Sequence, residues 1–241
     1  MIRTRYAAAV GVLAMMAGAA MAQTNVNSTD RGWYNENGIH QTSNDNYFAG
    51  VEIGNVNGNA FRNFFVFDIP TLGVGEDYTS AILSLISEVS QVGVPETYTL
   101  WSVETGIAAL VGGTGGPAAT EDLGDGTVYG TATITSGLNQ TIDITLNSAG
   151  LAAINGKKGQ QIAFGGTLTN LSAGDSVYAF GFTGSGSPSD GDSKLILQSS
   201  GGTNGGGTTG GDPVPEPGEW AAMGILGAGL AGLVIRKRRN G

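Results

Sequence analysis

The sequence predicts an all-β protein, an antiparallel β-sandwich of jelly-roll type with one short helix. Three observations predict it. Glycine supplies 42 of 241 residues, more than twice its usual share of about 7%, which disfavours helix. The apolar segments between residues 23 and 200 are short, β-branched or aromatic, and separated by Gly/Asn/Asp turns. A helical signature is confined to one eight-residue stretch.

In chain order, Tyr47 to Ile53 (YFAGVEI) reads as a first strand. Phe61 to Asp68 (FRNFFVFD) is aromatic and stops at Ile69-Pro70, where proline ends a ladder. Ala81 to Val89 alternates Ile82/Ser84/Ile86 against Leu83/Leu85, so both faces are partly apolar. Tyr98 to Val103, Val128 to Thr135, Thr141 to Leu146, Gln161 to Leu168, Val177 to Thr183 and Lys194 to Gln198 complete eight or nine strands. Ser148 to Asn155 is the helix, with Asn147 as N-cap and Gly156 at its end. Gly112 to Pro117 reads as a flexible loop. No fixed period marks a repeat architecture.

The two ends read as addresses. Residues 1–22 place Arg3 and Arg5 before the apolar run Ala7 to Ala19 and the small-x-small site Ala20-Met21-Ala22, the layout of a cleaved signal peptide, with Gln23 as the expected first mature residue. Residues 23–200 form the expected β-sandwich domain, and residues 201–213 a Gly/Thr-rich linker. Residues 214–241 contain Pro215-Glu216-Pro217, an apolar stretch from Trp220 to Ile235 and the basic cluster Arg236-Lys237-Arg238-Arg239. The apolar stretch is roughly 24 Å long as a helix, a single transmembrane segment whose basic end stays cytoplasmic.

Composition excludes several functions. Without cysteine there is no disulfide framework and no thiolate chemistry. A single histidine, His40, rules out sites that need two imidazoles. Residues 23–212 hold five basic and 18 acidic side chains, a charge of −13, so no nucleic-acid partner is expected. No serine sits in a Gly-x-Ser-x-Gly elbow, and the carboxylate pairs Glu76-Asp77 and Glu121-Asp122 are adjacent in turn-rich segments rather than opposed across a cleft. The expectation is a protein that is not an enzyme.

The tail resembles the PEP-CTERM sorting signal of Gram-negative bacteria: Pro-Glu-Pro, a short apolar helix and a terminal Arg/Lys cluster, in that order. The resemblance implies processing by the membrane enzyme exosortase and a place at the cell surface or in an exopolysaccharide or biofilm matrix, after transient anchoring in the inner membrane. In the body, Thr29 to Tyr34, Phe61 to Ile69 and Thr79 to Leu85 are similar to a pattern in DNRLRE-type and carbohydrate-binding-module-like sandwiches of exported proteins. That resemblance implies fold more than function.

The candidate ligand-binding residues are Trp33, Tyr34 and Arg62. Trp33 and Tyr34, between Gly32 and Asn35, could offer flat faces to a sugar ring; Trp101, in an apolar strand, reads as core. Arg62 could grip an acidic sugar, or pair with a carboxylate at a sheet edge while Asp68, on the same strand face, caps the turn at Pro70. Asp30, Asp45, Asp190 and Asp192 are candidate oxygen ligands for a structural Ca²⁺, although such residues also populate turns for local reasons; no other cofactor is expected. His40 reads as a solvated or hydrogen-bonded side chain. Two functions follow: a non-catalytic structural or adhesive matrix protein, or a glycan-binding module in contact with extracellular polysaccharide.

Overall fold

A computed structural model describes residues 22–51, 60–169, 177–181, 188–189 and 191–200. The expected signal peptide, linker and sorting tail lie outside these residues. The described chain is predominantly antiparallel β-sheet. Its strands are β1 (Ala22–Asn27), β2 (Asp30–Asn35), β3 (Ala49–Val51), β4 (Ala60–Asp68), β5 (Tyr78–Gln91), β6 (Glu96–Ser102), β7 (Val128–Ile134), β8 (Gly137–Thr145), β9 (Gln161–Thr169), β10 (Val177–Gly181) and β11 (Ser193–Ser199). The helices are α1 (Ile107–Val111), α2 (Gly116–Asp122) and α3 (Ser148–Gly156).

The ladder order is β1-β11-β5-β10-β3-β4-β9-β6-β7, with β2 added to β4 and β8 to β5. It wraps around one core, so β4, β9, β6 and β7 face β8, β5, β11 and β1 as two layers. Phe65, Phe67, Phe164, Leu100 and Tyr98 from one layer meet Leu83, Leu85, Ile144, Leu195 and Leu197 from the other. The layers join through β10, which pairs with β3 and then, across a register shift, with β5. At that corner Phe180 adopts φ +59, a conformation a bulky side chain takes only under strong constraint. Its ring is wholly buried against Tyr47 and Tyr98, and its N–H donates to Ser87 Oγ at 3.0 Å.

β4 is buried on both faces. Phe65 and Phe67 enter the main core, while Phe64 and Val66 point outward. There α1 and α2 cover them, with Leu110, Ala119 and Leu123 packed on Phe64, Val66, Tyr34 and Ala163. These helices correct the expectation of a single helix. At five and seven residues they are shorter than an isolated helix needs. Burial of Leu110 and Leu123, worth about 1.5–3 kcal/mol each, holds them in place. α3 forms where the sequence expects it, with Asn147 Oδ1 accepting from Ala149 N and Gly150 N.

The core holds a polar network. Asn63 Nδ2 donates to Tyr47 O at 2.8 Å, and Tyr98 Oη donates to Asn63 Oδ1 at 2.6 Å. Tyr47 Oη reaches the carbonyls of Ile86 (2.6 Å) and Asp192 (3.1 Å) in the opposite layer. Burial drives both tyrosine pKa values far above their usual range, so these phenols act as neutral donors. Gly166 lies beside Asn63 in the ladder, and a Cβ there would collide with the Tyr98 hydroxyl and the Asn63 side-chain oxygen. Replacing Asn63 with Ala strands Tyr98 Oη and Tyr47 O in an apolar interior. The expected loss is about 2–4 kcal/mol, read as a lower urea midpoint of the purified protein with an unchanged m-value.

Candidate functional site

The sequence candidates separate once folded. Tyr34 is completely buried, and its hydroxyl donates to the carbonyls of Leu110 (2.7 Å) and Ala109 (3.2 Å). It is a core residue beneath α1, which corrects its expected place in a sugar platform. Its neighbour Trp33 points to the other face of β2, as strand alternation requires. Trp33 is half-buried and meets Phe61 edge-on at 5.0 Å. Phe61 in turn contacts Phe48, which stacks on Tyr178, so Trp33 ends a row of four half-buried rings.

Arg62 is a helix cap. Its Nη1 donates to Thr120 O at 2.7 Å and Glu121 O at 2.9 Å, carbonyls at the C-terminal end of α2. Among the described residues it has no carboxylate partner within ion-pair distance, which corrects the paired-arginine reading. Asp68 ends β4 on the exposed side. Asp122, expected in a turn, closes α2 and accepts from Glu104 N and Thr105 N, tethering the segment that leads into α1. His40 Nδ1 donates to Trp33 O at 2.9 Å, and its ring stacks on Tyr34. This histidine braces a loop.

The acidic candidates gather around a buried cation. Arg31, 7% exposed, donates to the carbonyls of Asp45, Ser189 and Pro188 and to Ser193 Oγ at 2.6–3.3 Å, with its guanidinium 5.9 Å from the Tyr47 ring centroid. A small pocket of about 90 Å³ beside it is lined by Asp30, Asp45, Ser28 and Thr29. Desolvation pushes the Asp30 pKa upward, a backbone hydrogen bond opposes it, and the Asp45 charge adds to the rise. Asp192 Oδ2 accepts from Ser189 N at 2.6 Å and closes the loop; Asp190 lies outside the described residues. A Ca²⁺ needs six to eight oxygens, and the carbonyls of Asp45, Pro188 and Ser189 already accept from Arg31. No group of three or more acidic or imidazole side chains converges among the described residues, which do not include Asp190.

A third feature was not legible in the sequence. A cleft of about 540 Å³ opens between the loop into α1, the end of α3 and strand β9. Ile107, Ile162 and Ala163 are among its apolar lining; Glu104, Lys157 and Gln161 supply polar groups. Tyr129 also lines it, with its pKa raised by burial and by the neighbouring Glu104 charge, against a hydrogen bond with Ser102. Its residues come from four separate segments, so no local spacing announces it. Apolar lining with a few polar groups at this volume suits a small polar organic ligand.

No protein-family model matches the chain, and no curated protein sequence matches it.

Two outcomes test this geometry. Arg31→Lys keeps the charge but cannot reach four acceptors in the guanidinium's planar fork. It is expected to lower stability by about 2–4 kcal/mol in urea unfolding. Because Asp30 has a raised folded pKa, its carboxylate opposes folding once ionised. That penalty is absent below the unfolded value near 3.8 and grows as pH rises through the raised folded value. Asp30→Asn is therefore expected to unfold at higher urea than the unsubstituted protein at pH 7, with the gap closing as pH falls toward 3.8.

Proposed function

We propose that the chain is an exported, exosortase-processed protein of the cell surface or extracellular matrix in a Gram-negative bacterium, with a non-catalytic structural or adhesive role. The observation that carries this reading is the tail: Pro215-Glu216-Pro217, the apolar stretch Trp220 to Ile235, and Arg236-Lys237-Arg238-Arg239. In this reading residues 1–22 are a cleaved signal peptide. The apolar stretch crosses the inner membrane until processing, and the body is a jelly roll whose successive strands (β4 to β5, β5 to β6, β7 to β8) change layer.

The arrangement of the domain's ends supports it. β1 pairs with β11 in unbroken register from Ala22↔Ser199 to Asn27↔Lys194. The residue where the expected signal peptide ends therefore lies one strand spacing, about 4.8 Å, from the residue where the linker approaches. The described part of the chain therefore begins and ends at one edge of the sandwich. Cutting before Gln23 removes one residue from the β1 ladder.

A second reading, glycan binding, is favoured by the cleft at Glu104, Tyr129 and Lys157 and by the half-buried aromatic row that includes Trp33. Tyr34 does not serve it, since it is wholly buried, and Arg62 Nη1 is engaged by the carbonyls at the end of α2.

Intact mass of the protein recovered from its native membrane and medium fractions tests the first reading. The expected species starts at Gln23 and ends near Pro215–Pro217, with or without an added group, and a variant truncated before Pro215 changes fraction. Recovery of a species that retains residues 218–241 in every fraction overturns the sorting claim.

A further inference from the structure

We propose that the outer face of β6, β7 and β9 is a docking surface for a neutral polysaccharide chain, with the Trp101 indole as its stacking platform. This deepens the matrix-protein reading and rests on it.

Three adjacent strands present threonine in register on this face. Thr97 pairs with Thr133 on one side and Thr169 on the other; Thr99 pairs with Thr131 and Thr167. Paired residues share a face, so the six form two rows of three, about 4.8 Å apart across strands and about 6.8 Å apart along them. Thr97, Thr131 and Thr133 are exposed and Thr169 is half-buried. Thr99 and Thr167 fill the floor.

Trp101 continues the Thr97–Thr99 line by one more alternate position. Its Nε1 donates to Thr167 Oγ1 at 3.0 Å, which pins the half-buried ring toward β9. The ladder partner of Trp101 on β9 is Gly165, over which the Leu123 backbone packs too closely to admit a Cβ, so the end of α2 borders the ring on that side. On the other side Trp101 pairs with Val128, itself exposed. The sequence expectation of a core tryptophan fails because Tyr98 and Leu100 take the inward positions of β6.

The chemistry of the strip selects its occupant. The positions named on it are threonine, tryptophan, valine and glycine and carry no formal charge. Arg62, which flanks Thr167, is engaged with the carbonyls at the end of α2. The exported portion of the body is −13. A polyanion is repelled by that body, and a polycation finds no carboxylate on the strip. Threonine offers a hydroxyl and a methyl together, and indole a flat apolar face. A pyranose ring offers their complement: hydroxyls around its edge and C–H groups on its faces. A run of such rings along the strip matches a neutral glycan.

The test uses the purified full chain in mild detergent, sedimented with microcrystalline cellulose or chitin, and run by affinity electrophoresis in gels containing the polyanion alginate. The expected result is co-sedimentation with at least one neutral polymer and no retardation by alginate. Trp101→Ala is expected to weaken binding about tenfold or more, Trp101→Phe to weaken it less, and Thr131→Lys or Thr133→Lys to abolish it with an unchanged circular dichroism spectrum. Absence of binding to both neutral polymers overturns the proposal, as does undiminished binding by Thr133→Lys. Self-association that Thr133→Lys disperses assigns the face to a second copy of this chain and overturns it too. Sorting is read separately by intact mass in cell fractions, so either reading can fail alone.

Discussion

The architecture depends on β4 being buried on both sides. A strand reading Phe-Arg-Asn-Phe-Phe-Val-Phe carries large apolar side chains at successive positions, and alternation sends them to opposite faces. One face closes against the second layer of the sandwich. The other exposes Phe64 and Val66 unless something covers them, and the chain spends α1 and α2 on that task. Arg62, between Phe61 and Asn63, then finds the carbonyls at the end of α2 within reach, so the strand that needs the cover also caps it.

Two polar devices hold the layers in register. The Asn63–Tyr98–Tyr47 network spans the core, and its buried groups have little tolerance for a shift because each lost partner costs a desolvated donor or acceptor. Arg31 performs the same task at the rim, gathering three backbone carbonyls from two otherwise irregular segments. Asp30 feels its charge, and Asp192 closes the adjoining loop by accepting from Ser189 N. An oxygen-rich loop region of this sort reads as a calcium site in sequence; in the fold, the carbonyls of Asp45, Pro188 and Ser189 accept from a guanidinium.

The candidate surfaces divide along similar lines. The helix layer covers β4 and part of β9, and the threonines of β6 and β7 at Thr97, Thr131 and Thr133 stay exposed beyond it. Beyond the other end of that layer, the loop held by Asp122 meets the end of α3 and opens the cleft. Both features lie on one layer of the sandwich, whereas the ends that lead to the address segments lie at the β1–β11 edge of the other.

Much of this was legible in residues near one another in the chain. Alternation located nine of the strands, the Asn147 cap located α3, and the tail residues alone carry the proposed address. β1 and β2 were missed because their side chains are polar or mixed: AQTNVN and DRGWYN are strands only because β11 and β4 offer ladders. α1 and α2 were missed because five and seven residues among glycines barely show a helical period, although Ile107, Leu110 and Val111 stand at i, i+3 and i+4. The sequence by itself determined strand periodicity, net charge and the chemistry of the ends, all of which are local or additive. The tertiary structure decided which face each ring occupies. It buried Tyr34, turned Arg62 into a cap and brought Trp101 to the surface, because facing depends on partners distant in sequence that local pattern does not encode.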